Sequence, residues 1–258
     1  FSAEIPFLTA SDPDGVLLAA ASAISARPAE VVKVDKPQGK DVPECEVDRN
    51  IPRSATESRS RFAVIIGNEE YRNGVAGVDF AAKDARVFAD YCHRTLGLPQ
   101  SNIRRYENAT YGDMLGALKD IAAITEAYGG DVDILFYYAG HGIPDERDRS
   151  AYLMPVDADG SMTEVCLPLS TLYERLGGLG ARSVVVFLDA CFSGSQRGDG
   201  MLMAARGVKI KSATTRPKGN MVVFSAASGD QTAYPYKEKG TEFSPIICWR
   251  SCRRPRAM

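Results

Sequence analysis

The 258-residue chain has no excess of positive charge: 31 Lys and Arg stand against 33 Asp and Glu, a formal net charge of -2. No basic stripe interleaved with aromatics is present either, so nothing in the sequence is built to hold a phosphate backbone, and nucleic acid is excluded as an expected partner. Long apolar runs are missing too. The best, Val16 to Ile24, is alanine-rich and far short of the roughly 20 residues a membrane span requires. Histidine is scarce, with only His93 and His141, and the six cysteines (Cys45, Cys92, Cys166, Cys191, Cys248, Cys252) form no CxxC pair and keep no ligand spacing with those histidines. A zinc site is therefore disfavoured, and no metal ligand is assigned. A glycine-rich phosphate loop is lacking after the first apolar run, where GNEEYRNG puts two glutamates at the place a phosphate would take. That argues against a nucleotide-binding domain. The chain opens at Phe1 rather than methionine, so it reads as processed or cut from a longer frame, with any leader lying outside it.

What is present suffices for one full core: 45% of the residues are hydrophobic. Residues 1–60 carry scattered Pro, Ser and Asp with one short apolar run at Val31 to Val34, and read as an accessory or linker segment. Regular structure is expected from Arg61. FAVIIG (Phe62 to Gly67), DILFYYA (Asp133 to Ala139), SVVVFLD (Ser183 to Asp189) and NMVVFS (Asn220 to Ser225) are the apolar runs of strands buried in a parallel sheet. A shorter strand fits Ile103 to Tyr106. Between them lie helical patterns over Phe80 to Leu96, ended by Gly97 and Pro99, over the stretch capped by Thr110 (Met114, Leu115, Leu118, Ile121, Ile124), and over Ser170 to Leu176. Alternating strands and helices predict an α/β three-layer sandwich, a mainly parallel sheet of roughly six strands with helices on both faces, spanning residues 61–240.

In such sheets chemistry gathers at the carboxyl ends of strands. The two strongest strands run into the two most reactive side chains: DILFYYAGHG delivers His141 and SVVVFLDACFSG delivers Cys191. A thiol attacks as thiolate and needs a base, for which an imidazole with a pKa of about 6.5 is suited. Gly140, Gly142 and Gly194 let a substrate backbone come close, and the N–H groups of Gly142 and Cys191 are candidates for an oxyanion hole. His93, beside Arg94 on an amphipathic helix, reads as a solvated surface residue.

With these residues in view, the sequence resembles the caspase family in its broad sense, in particular bacterial caspase-like proteins and metacaspases. The resemblance rests on YYAGHG (Tyr137 to Gly142), LDACFSG (Leu188 to Gly194), RFAVIIGNEEY (Arg61 to Tyr71) and FSAASGDQTAY (Phe224 to Tyr234), and covers about residues 61 to 240. It implies the caspase–haemoglobinase fold and a cysteine endopeptidase acting on proteins or peptides, with His141 as general base and Cys191 as the nucleophile that forms a thioester. Where caspases that cut after aspartate carry a pocket arginine, this chain has Tyr234. The acidic positions that metacaspases use to bind Arg or Lys resemble Asp84 and Asp189, so cleavage after a basic residue is expected. Arg72 keeps aspartate specificity as the minority reading. The Ser195 to Gly219 connection, with Arg197, Arg206, Lys209, Lys211, Arg216 and Lys218, is of the kind the family cuts during activation. Metacaspases are often calcium-dependent, and Asp157 and Asp159 form a small acidic turn, but no cofactor is assigned. The competing reading is an inactive caspase-like module that serves as an interaction scaffold.

Residues 241–258 (TEFSPIICWRSCRRPRAM) have neither a helical nor a strand period and depart from the family. Back-translated and read one base earlier, the stretch from Gly240 to Trp249 yields Gly-His-Gly-Ile-Phe-Thr-Tyr-Tyr-Leu-Leu, a segment of the family's type. A frameshift is the expectation, and with it a missing helix that leaves apolar sheet surface bare.

Overall fold

The computed structural model describes residues 46–145, 150–159, 162–190, 192, 217–225, 235–236 and 241–242. Five parallel strands form the main sheet in the order β2 (Ile103–Glu107), β1 (Arg61–Gly67), β3 (Asp133–Ala139), β7 (Ser183–Asp189) and β8 (Met221–Ser225). β1 and β3 are buried along almost their whole length, as strands flanked on both sides and covered on both faces must be. Among the described residues, three helices cover the sheet. α2 (Ala81–Arg94) lies on one face, where Ala81, Ala85 and Phe88 meet Ile65, Leu135 and Tyr137. α3 (Tyr111–Ala127) and α4 (Leu169–Gly177) cover the other, where Met114, Leu118, Ile121, Leu172 and Leu176 pack on Val64, Phe136 and Val186.

These three helices and five strands fall close to where periodicity puts them. Thr110 caps α3 in a full capping box: its hydroxyl accepts the Asp113 N–H, and the Asp113 carboxylate accepts the Thr110 N–H. Two sets of elements were not expected. A three-stranded antiparallel sheet, β4 (Gly142–Pro144), β5 (Ala151–Leu153) and β6 (Leu167–Pro168), branches from the carboxyl end of β3. Ahead of Arg61 there is a one-turn helix, α1 (Glu46–Arg49), and an extended strap. Lys83 on α2 pairs with Asp48 at 2.7 Å, Ile51 enters the core under α2, and the N–H groups of Ser54 and Ser58 donate to the Arg94 and Gly97 carbonyls. β9 (Pro235–Tyr236) and β10 (Thr241–Glu242) form a short antiparallel pair.

The register of β3 against β7 is held at both ends. At the amino end Arg182 grips the Asp133 carboxylate with two nitrogens, at 3.0 and 2.8 Å, and the Ser183 hydroxyl adds a bond of 2.7 Å. Hydrogen bonding from Arg182 holds the Asp133 carboxyl below the usual carboxylate range. At the carboxyl end the Gly140 N–H donates to the Asp189 carbonyl at 3.2 Å. On the α2 side the covering thins toward β8. Val185 and Phe187 are half-buried, while Val222 and Phe224, registered with them, are 53% and 55% exposed.

Candidate active site

Ala139 pairs with Asp189 at the carboxyl ends of β3 and β7, so His141 and Cys191 are each the second residue beyond one registered pair. The topology therefore brings both chain positions to the same end of the sheet on adjacent strands. Cys191 itself lies outside the described residues; its neighbours Ala190 and Phe192 are buried. His141 is buried as well, 5% exposed. Its Nε2 lies 2.7 Å from the carbonyl oxygen of Ala76. A carbonyl only accepts, so that contact assigns the proton of the neutral ring to Nε2 and leaves Nδ1 with the lone pair. An imidazole held this way takes up a proton at Nδ1, and the Ala76 carbonyl then stabilises the cation that results.

The main chain of the histidine is fixed as firmly as its ring. Its N–H donates to the Tyr71 hydroxyl at 2.7 Å, and its carbonyl accepts from the Tyr138 hydroxyl at 2.8 Å and from the Met154 N–H at 3.0 Å. That last bond also orients Gly142. Antiparallel pairs alternate between hydrogen-bonded and non-bonded, and His141 faces Met154 in a bonded pair, so Gly142, registered with Leu153, falls in a non-bonded one. Its N–H consequently points away from β5, out of the ladder.

Asp84 and Asp189 are both buried, at 0% and 2% exposure. Asp189 has the parity of Val185 and Phe187, which face α2, and Asp84 sits in the first turn of α2, the end nearest the carboxyl edge of the sheet. Both carboxylates thus lie at the carboxyl end of the sheet, from which the segment bearing His141 emerges. Arg72 is exposed, its backbone N–H bound to the Val156 carbonyl, and Tyr234 lies outside the described residues. Asp157 caps α3 by accepting the Tyr111 N–H at 3.0 Å. Among the described residues no group of three or more His, Cys, Asp or Glu side chains is placed to hold a metal ion. His93 is exposed, and its Nδ1 bonds the Leu98 carbonyl at 2.9 Å just past the end of α2.

The helix that would serve a nucleotide is occupied from within. Glu69, in the GNEEYRNG loop, accepts the Ala82 N–H of the first turn of α2 at 3.0 Å, and burial raises the pKa of its carboxyl. Two of the cysteines can be set aside on similar grounds. Cys92 and Cys166 are free and buried, and burial pushes each thiol up to about 12. Thiolate, the reactive form, is scarce below a raised pKa, so both stay protonated and inert through neutral pH. Brief treatment of the folded chain with iodoacetamide at pH 7.5 is expected to leave Cys92 and Cys166 unmodified while Cys191 is alkylated, as read by peptide mass mapping.

Tyr71, Ala76, Tyr138 and Met154 are the parts of this site that the sequence reading did not assign. Ala76 and Met154 act through main-chain atoms, to which their side chains give no clue. Tyr71 and Tyr138 stand inside the motif blocks RFAVIIGNEEY and YYAGHG, and that was the available signal.

The sheet thus brings a histidine with a fixed tautomer and the chain position of a cysteine to the ends of neighbouring strands. The Peptidase_C14 caspase-domain model matches residues 60–252, and the chain belongs to that family. Its members are cysteine-type peptidases. The crystal structure of protein GSU0716 from Geobacter sulfurreducens matches with a TM-score of 0.54 at 18% identity, over 76% of this chain and 84% of that one, and shows the same fold. No curated protein matches this chain. No helix among the described residues is long and apolar enough to cross a membrane.

Proposed function

We propose that the chain is a cysteine endopeptidase that cuts after Arg or Lys through a His141/Cys191 dyad. The observation that carries this reading is the fixed state of His141, with Nε2 on the Ala76 carbonyl and Nδ1 left to accept, at the strand end registered with the one that leads to Cys191. Nδ1 takes the thiol proton, and the thiolate adds to the scissile carbonyl. The resulting oxyanion is held by the N–H groups of Gly142 and Cys191. The imidazolium then gives its proton to the leaving amine, a thioester remains, and water activated by the same nitrogen releases the acid. Asp84 and Asp189 pair with the guanidinium or ammonium of the residue before the cut.

A chloromethyl ketone peptide ending in Arg tests the assignment. The Cys191 sulfur displaces chloride and forms a thioether, which mass mapping should find on Cys191 in the native chain and not in the His141→Ala chain. Labelling of both chains at equal rates would contradict the dyad.

Self-processing follows from the same specificity, because the 195–219 connection carries six basic residues. Purified chain is expected to be nicked after one or more of them and the Cys191→Ala chain to stay whole; nicking of that variant at the same bonds would sink the idea.

A further inference from the structure

Two tyrosine hydroxyls flank the residue before the histidine: a Cβ built on Gly140 would lie 2.7 Å from the Tyr71 oxygen and 2.8 Å from the Tyr138 oxygen. Glycine is therefore required at 140, because both hydroxyls occupy the space a side chain would fill. Tyr138 lies in the core, and burial first, then its neighbour Tyr71, push its pKa well above the ordinary value, so it remains a proton donor to the His141 and Met154 carbonyls. Tyr71 does two things at once. Its oxygen accepts the His141 N–H at 2.7 Å, and its ring lies with its centroid 4.6 Å from that of the imidazole, tilted by 47°. An aromatic ring at that distance attracts a cation through its quadrupole.

We propose that Tyr71 is a positioning residue for His141, its hydroxyl fixing the main chain at the histidine and its ring favouring the imidazolium that forms when the thiol gives up its proton. The proposal rests on the peptidase reading for its purpose but not for its test. Near the histidine stand Tyr71, from the loop after β1, whose ring touches the imidazole, Tyr138, from β3, whose hydroxyl donates to the His141 carbonyl, and Asp189, registered with Ala139 at the end of β7. Tyr71 is the residue whose ring lies against the histidine, with the centroids 4.6 Å apart. Removing the ring disfavours the protonated form, so the histidine pKa must fall.

With two histidines in the chain, both imidazole signals can be followed by NMR, and His93→Gln assigns them. Tyr71→Leu is expected to lower the His141 midpoint by roughly half a pH unit or more, while Tyr71→Phe, which keeps the ring, moves it by less than about 0.2. Toward an Arg-ended peptide Tyr71→Phe should lower kcat about tenfold with KM within about twofold, because the buried N–H it leaves unpaired loosens the histidine. Tyr71→Met replaces leucine as the ring-free variant should leucine fail to fold. An unmoved His141 midpoint in the ring-free chain overturns the ring's part, and an unchanged kcat in Tyr71→Phe overturns the hydroxyl's. Absence of turnover in the native chain would defeat the peptidase reading, and the titration, which needs no turnover, would still decide the ring's role.

Discussion

Replacing His141 by alanine is expected to reduce kcat/KM for an Arg-ended peptide at pH 7 by at least about 10³-fold while the chain stays folded. The fold should survive because the residue's three structural bonds, to the Tyr71 hydroxyl, the Tyr138 hydroxyl and the Met154 N–H, all belong to its main chain. Alanine keeps every one of them. What goes is the base at Nδ1 and the bond from Nε2 to Ala76. A thiol without a base, at an ordinary pKa of about 8.5, is only a few per cent thiolate at pH 7, and no acid remains to protonate the leaving amine. Raising the pH should recover the thiolate and with it a small part of the rate. Circular dichroism checks the fold, and initial rates between pH 6 and 9 check the chemistry. Loss of less than tenfold would remove His141 from the mechanism.

The second large effect is expected at the buried acids. Asp189→Asn should lower kcat/KM for an Arg-ended peptide by about 10² to 10³-fold, since leaving a buried charge without its partner costs roughly 3–5 kcal/mol. Asp84→Asn should act in the same direction. Asparagine matches aspartate in shape, so packing around α2 is retained and the change isolates charge. The control is a peptide ending in Asp, for which removing a negative charge from the pocket should raise the rate rather than lower it. Equal losses for both peptides would mean that the two carboxylates hold the sheet edge together and do not read the substrate.

The elements that could be read from sequence are those whose pattern is long enough to show a period. β1, β3 and β7 are runs of seven residues, and α2 and α3 carry apolar residues at helical spacing that meet opposite faces of the sheet. The capping role of Thr110 was visible because a threonine ahead of an apolar helical stripe is a usual N-cap, and Asp113 completes the box in the structure. By contrast β4, β5 and β6 are two or three residues long, too short for alternation to register, and they are what orients Gly142. The strap before β1 was also invisible. Its polar composition reads as linker, and it is held chiefly by main-chain bonds, with Ile51 and the Asp48–Lys83 pair as its few side-chain anchors. At the site, His141 stands in the block YYAGHG, and Asp84 and Asp189 were expected from the metacaspase resemblance, whereas Ala76 contributes a carbonyl, a group every residue type possesses.

The most direct test of the account is turnover of paired fluorogenic peptides, identical except for Arg or Asp before the scissile bond, by the chain and by its Cys191→Ala variant. A dyad serving an acidic pocket predicts thiol-dependent cleavage of the Arg peptide, at least about 10²-fold slower cleavage of the Asp peptide, and no cleavage by the variant. Equal cleavage of the Arg peptide by the native chain and by Cys191→Ala would contradict it.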